Sequence, residues 1–241
     1  MSIQIKKLYN QLAMAFKSVE NSSFKRTNFI YLLVALLAFL ILSPLAQIFF
    51  PENASIIINF TFTLTIVIGV WSLIDNRKWF LFGLGLAAFS FLLSLLEFFY
   101  TSQSIYIASI LVLLFFLINS LVLAIKHILF GPRIDMNKIV GSVTIYLLIG
   151  IIWALLYGLV ETVIAGSFSG DLLNVGGSQF WDLIYFSFVT LTTLGYGDIL
   201  PMNTYARTLA YMEAIAGQFY IAILVASLVG AHLSERQSGK E

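Results

Sequence analysis

Thr190-Leu191-Thr192-Thr193-Leu194-Gly195-Tyr196-Gly197-Asp198 is the stretch on which the reading of this chain turns. Just before and overlapping it, residues Gln179–Thr192 form a short amphipathic piece, too short to cross a bilayer. Long apolar runs flank the pair, Ile139–Ile164 on one side and about Tyr205–Leu233 on the other. A half-length helix followed by a Gly-rich turn between two spans reads as a re-entrant segment. Non-helical backbone is tolerated at membrane depth only where protein or a water-filled cavity surrounds it.

The rest of the chain agrees with lipid as its solvent. Of 241 residues, 60% are hydrophobic and 10% charged, with a mean hydropathy of +0.95. A soluble domain of this size could not cover that much apolar surface with so few charges. The net charge of +1 says nothing about nucleic acid, but no basic run is long enough to track phosphates, so no nucleic-acid partner is expected. Cysteine is absent, so there is no disulfide framework and no thiolate metal site. No Ser–His pair, metal-binding His cluster or paired intramembrane carboxylates appear, so the chain does not read as an enzyme.

Working outward, four more apolar runs precede the flanked stretch: Phe29–Phe50, Ile56–Ile74, Trp79–Tyr100 and Ile105–Ile125. The expected fold is all-α and integral to the membrane, with six transmembrane helices and a re-entrant helix and loop between the fifth and sixth. Basic residues set the orientation. Lys6, Lys7, Lys17, Lys25, Arg26, Arg77, Lys78, Lys126, Arg133, Lys138, Arg236 and Lys240 all fall on one side, whereas Arg207 lies on the other. Both termini are therefore expected in the cytoplasm, in a plasma membrane or a bacterial inner membrane. The expected division is a cytoplasmic or interfacial N-terminal helix at 1–28, a four-helix membrane domain at 29–125, an amphipathic connector at 126–138, a pore domain at 139–233 and a short tail at 234–241. Ile5, Leu8, Leu12, Phe16 and Val19 form the apolar stripe of the first.

The pattern Thr-x-x-Thr-x-Gly-Tyr-Gly-Asp at 190–198 resembles the selectivity-filter signature of tetrameric potassium channels, and the resemblance covers about Lys138–Leu233. It implies potassium as the transported ion, with no organic cofactor, and Thr193, Leu194, Gly195, Tyr196 and Gly197 as the residues that bind it. A dehydrated potassium ion needs a cage of oxygens, which rings of backbone carbonyls supply. Gly195 and Gly197 permit the dihedrals that turn successive carbonyls to one axis. Thr193 adds a hydroxyl ring, Tyr196 points away from the axis, and Asp198 closes the outer end. Thr192, Tyr185 and Phe186 are filter supports, with Tyr185 a candidate donor to Asp198. Val189 stands where some bacterial members carry a carboxylic acid. One chain provides one filter strand, so a homotetramer is implied.

In the sixth span, Gly217 falls at the family's hinge position, and close packing explains a glycine there equally well. If Gln218 faces the cavity, helical spacing adds Ile221 or Ala222, Val225 and Val229. Glu213 is costly inside a membrane. It is expected behind the filter, bonded to pore-helix groups such as Ser187 and stiffening the filter, with a protonated, satisfied glutamate that only packs as the alternative.

The first four spans are not a conventional voltage sensor. The fourth has no Arg or Lys before Lys126, and steep voltage gating needs several charges per subunit. Glu97, His127 and His232 are weak sensor candidates, leaving the stimulus to lipid, tension, pH or an unidentified gating partner. The alternatives to a potassium-selective channel are a channel-like regulatory or sensor protein that does not conduct, and a non-selective cation channel.

Overall fold

The computed structural model describes residues 29–50, 61, 62, 64–69, 77–99, 102–130, 136–170 and 179–238. The stretch expected as an N-terminal interfacial helix and most of the second apolar run lie outside the described residues. The described elements, in chain order, are α1 (Phe29–Phe49), α2 (Arg77–Phe99), α3 (Gln103–Phe130), α4 (Met136–Val163), β1 (Phe168–Ser169), α5 (Gln179–Leu191), β2 (Leu200–Pro201) and α6 (Thr204–Ser238). Residues 61, 62 and 64–69 are also helical.

The protein is mostly helical. Among the described residues, four helices are long and apolar enough to cross a membrane, with windows Phe29–Ala46, Gln103–Lys126, Asn137–Val163 and Thr204–Ser227. The corresponding apolar stretch in α2, Leu81–Leu93, is shorter. α3 continues to Phe130, past the expected limit at Ile125. α6 continues to Ser238, into the stretch expected to be an unstructured tail. Ala-His-Leu-Ser-Glu-Arg-Gln, at 231–237, holds neither Pro nor Gly to stop the helix.

α4 is the central element, packing against α1, α3, α5 and α6. One core joins Phe29, Leu32, Leu36 and Phe39 of α1 with Leu114 and Leu117 of α3, Leu148 and Ile151 of α4, and Trp181 and Ile184 of α5. The rings of Phe39 and Trp181 lie 5.2 Å apart, so α1 touches the half-helix α5 directly. The α1 start is tied to the α4 start as well. The Phe29 N–H, an orphan donor of the first turn, donates to Asn137 Oδ1 at 3.0 Å.

The outer ends of α4 and α6 are joined by a small antiparallel pair, with Phe168 opposite Pro201 and Ser169 opposite Leu200. Glu161, at the end of α4, holds the turn into it, accepting the Gly166 N–H at 2.8 Å and the Phe168 N–H at 3.0 Å. Asn203 caps α6, accepting the Ala206 N–H at 2.9 Å, and its amide donates to Ser167 Oγ at 2.6 Å. Sequence patterning gave no sign of this pair, because two-residue strands leave no periodicity to read.

Glu161→Ala leaves two backbone donors of this turn without their acceptor, a loss of about 1–3 kcal/mol. The expected result is a lower thermal midpoint for the detergent-solubilised protein, with Glu161→Gln, which keeps one acceptor oxygen, losing less.

Candidate functional site: a capped half-helix and the strand that leaves it

α5 ends at the buried Leu191, and its last carbonyls need partners. Three backbone bonds solve this. Thr193 N–H donates to Thr190 O at 2.9 Å, Leu194 N–H donates to Val189 O at 2.9 Å, and Gly195 N–H reaches the same Val189 O at 3.3 Å. The first two form the Schellman arrangement, whose signature is a left-handed residue just past the helix. Here that residue is Thr193, with φ +59°. Glycine is the usual occupant, and a β-branched residue there stores strain of about 1–3 kcal/mol. The Leu191 carbonyl accepts from the Tyr146 hydroxyl of α4 at 3.2 Å. Thr192 turns its hydroxyl back to Phe188 O at 2.6 Å.

Beyond the cap the left-handed conformation recurs at every second residue: Thr193 (φ +59°), Gly195 (φ +58°) and Gly197 (φ +77°). Leu194 and Tyr196 keep negative φ. Ordinary strand backbone points its carbonyls alternately to opposite sides. Left-handed residues at every second position break that alternation, so the peptide planes of this stretch do not follow strand geometry. The stretch from Thr192 to Asp198 is exposed on the single chain, Tyr196 to 66%.

The outer end of this strand is tethered. The Tyr185 hydroxyl donates to Asp198 Oδ2 at 2.6 Å, and Asp198 Oδ1 accepts the Ile199 N–H at 3.1 Å. The Tyr185 bond, aided by backbone N–H donors, holds the Asp198 carboxyl below its ordinary 3.8. Phe186 is buried in a second core with Tyr157, Phe168, Leu183, Ile199 and Ala206, which backs the strand from the outer side.

The inner end is set by α6. A Cβ on Gly217 would lie 2.3 Å from the Leu191 carbonyl oxygen, so α6 and the end of α5 meet backbone to backbone. Close packing accounts for this glycine without a hinge. Next to it, Gln218 Nε2 approaches Thr193 Oγ1 at 3.4 Å. Ile221 and Val225, a turn and two turns on, are exposed on the same helix. Glu213, one turn before Gly217, is fully buried. Its Oε1 lies 2.5 Å from Ser187 Oγ, and the Tyr157 hydroxyl donates to its Oε2.

Residues 143–232 match the sequence model of the family described as "Ion channel". Among curated proteins, the inward rectifier potassium channel Kirbac3.1 of Paramagnetospirillum magnetotacticum is 35% identical over 71 residues, which is 29% of this chain and 24% of that protein. The two pore potassium channel a of Oryza sativa subsp. japonica is 36% identical over 93 residues, 39% of this chain and 23% of that protein. The two-pore potassium channel 1 of Arabidopsis thaliana is 29% identical over 103 residues, 43% of this chain and 25% of that protein. The matched segment is similar to an ion-channel family and to curated potassium channels. Its matches span about a quarter of the length of these curated potassium channels. No solved structure matches the chain. The ion-channel similarity and the four apolar helices together support a multi-pass membrane protein.

Sequence reasoning centred on the potassium-channel signature missed three contributors. Tyr157, Tyr146 and Tyr220 all carry a hydroxyl inside α4 or α6, and each hydroxyl finds a partner: Glu213, Leu191 O and Ser142 O. A tyrosine deep within an apolar span is the available signal, since its hydroxyl must be satisfied there. The left-handed Thr193 was also missed, because only glycines announce such a conformation.

Two measurements test this geometry. The Asp198 pKa is depressed, so the stability its bond to Tyr185 contributes is complete above the ordinary value and fades as pH falls through the folded one. Tyr185→Phe therefore moves the Asp198 titration up toward 3.8, read by carboxyl-carbon NMR. Gly217→Ala forces α6 from Leu191 and destabilises the protein by about 1–3 kcal/mol, visible as a lower thermal midpoint.

Proposed function

We propose that this chain is one subunit of a homotetrameric, potassium-selective channel that conducts potassium ions passively across a membrane. The observation that carries the reading is the alternate left-handed backbone at Thr193, Gly195 and Gly197, on an exposed strand leaving a capped half-helix. The carbonyls of a single strand cannot enclose an ion. Four copies around an axis can, with Thr193, Leu194, Gly195, Tyr196 and Gly197 replacing the water of a dehydrated potassium ion. Thr192, Asp198, Tyr185, Phe186 and Glu213 support that strand, and Gln218, Ile221 and Val225 line the cavity beneath it.

The state of α6 supports assembly. Only 11% of its apolar window is buried within one chain, against 56% for α4. Tyr211, Ile215, Phe219 and Ile223 form an exposed ridge at four-residue spacing, suited to a neighbouring subunit. In this reading α5 is a re-entrant pore helix, the chain spans six times with both termini cytoplasmic, and residues 139–233 form the pore domain. Residues 1–28 lie at the inner interface, 29–125 form a four-helix unit without voltage-sensing charges, 126–138 connect the two, and 234–241 follow the gate. Membrane lipid surrounds the assembly, and a separate gating partner remains compatible with it.

The test is tracer flux in liposomes holding the purified protein. Potassium uptake that sodium does not share, blocked by barium, is expected. Equal sodium uptake points to a non-selective channel, and no uptake at all to a non-conducting regulatory protein. Within one chain a Cβ on Gly195 meets nothing within 4 Å but sits at φ +58°, so Gly195→Ala strains the backbone and is expected to lower selective potassium flux.

A further inference from the structure

The buried junction of Glu213, Ser187, Tyr157 and Gly150 has a hydrogen count that fixes its chemistry. Ser187 Oγ lies 2.7 Å from Gly150 O of α4 and 2.5 Å from Glu213 Oε1 of α6. A serine hydroxyl carries one proton, and both of those neighbours are acceptors when the glutamate is ionised. With a carboxylate, one of the two contacts becomes lone pair against lone pair. With a carboxylic acid, every atom is satisfied: Glu213 Oε1–H donates to Ser187 Oγ, Ser187 O–H donates to Gly150 O, and Tyr157 O–H donates to Glu213 Oε2.

The surroundings favour the same form. Glu213, Ser187 and Tyr157 are each fully buried. Among the described residues, no Lys, Arg or His partners Glu213. The titratable groups facing it are Tyr157 and, farther off, Tyr146, both on α4. α5 presents only Ser187 there, since its Tyr185 is turned to Asp198. An unpaired charge in such a place costs several kcal/mol, which a bound proton removes.

We infer that Glu213 is a positioning residue that carries its proton at neutral pH, and that this single proton links α6 through Ser187 of the pore helix to the α4 backbone and makes the filter scaffold proton-dependent. The inference rests on the channel reading for its functional half and not for its chemical half. Three helices meet at that proton, one turn from where Gly217 abuts the end of α5. Glutamine can reproduce the pattern, its amide donating to Ser187 and its carbonyl accepting from Tyr157. Alanine cannot, and neither can the ionised acid.

The experiment uses the full chain reconstituted in liposomes of phosphatidylethanolamine and phosphatidylglycerol, with infrared spectroscopy and tracer potassium flux on the same samples. At neutral pH the wild type should show the carbonyl stretch of a protonated carboxylic acid, sensitive to deuteration and lost in Glu213→Gln. Tyr157→Phe removes the donor to the carbonyl oxygen and should shift that band to higher frequency without abolishing it, which a merely structural role would not do. Wild-type flux should fall on the alkaline side with a limiting slope of about tenfold per pH unit, that of one proton. Glu213→Gln should keep the neutral-pH flux and lose the alkaline fall, whereas Glu213→Ala should lose flux at every pH.

A neutral-pH spectrum without the band, or one identical in the wild type and Glu213→Gln, overturns the inference. So does a Tyr157→Phe spectrum with the band unmoved, which serves even where Glu213→Gln does not fold. An alkaline fall that persists in Glu213→Gln overturns the functional half. A band that behaves as expected with no flux in any variant overturns the channel reading and leaves the proton in place.

Discussion

A helix that ends against packed neighbours has to find partners for its last carbonyls, and this requirement shapes the molecule. α5 meets it with its own following residues: Thr193 and Leu194 fold back their N–H groups onto Thr190 and Val189. The closure forces a left-handed turn at Thr193, and that turn is also the first of the three that aim the exposed strand. Ending the helix and shaping the strand are thus one event. The strain at Thr193 is tolerated because the capping bonds and the meeting of Gly217 with the Leu191 carbonyl over-determine the position.

Everything else holds this short unit between two long helices. α4 supplies Tyr146 to Leu191 O, the Gly150 carbonyl near Ser187, and Tyr157 to Glu213. α6 supplies Glu213 and, one turn on, the adjacent Gly217 and Gln218. At the outer end, the β1–β2 pair and the Tyr185–Asp198 bond close the frame. The half-helix is therefore gripped by polar contacts at its middle, end and exit, while apolar contacts fill the intervals. In lipid, polar contacts of this kind define position more sharply than apolar ones, whose alternatives are equally oily.

How much of this was legible in the sequence follows from what each feature asks of a residue type. The helices were legible because lipid demands long apolar runs, and the left-handed turns at Gly195 and Gly197 because glycine is the residue that adopts them freely. The Glu213–Ser187 contact was legible too, since a carboxyl inside an apolar span must find a partner. Tyr157 was not, because nothing in one dimension says which of eleven tyrosines faces an acid on another helix. Helix limits at Ile125 and Leu233 fell short because hydropathy marks where lipid ends rather than where hydrogen bonding does. The backbone role of Thr193 stayed hidden because its side chain argues against the conformation it adopts.

The contact between Phe39 and Trp181 bears on how far this architecture can be trimmed. Here α1 occupies one flank of the half-helix, and a large aromatic pair fills what would otherwise be a greasy surface. Excising the first helices would strip a wall from the scaffold rather than detach an ornament, turning Trp181 outward and unseating the half-helix at its base. The leading segment is in this sense a buttress.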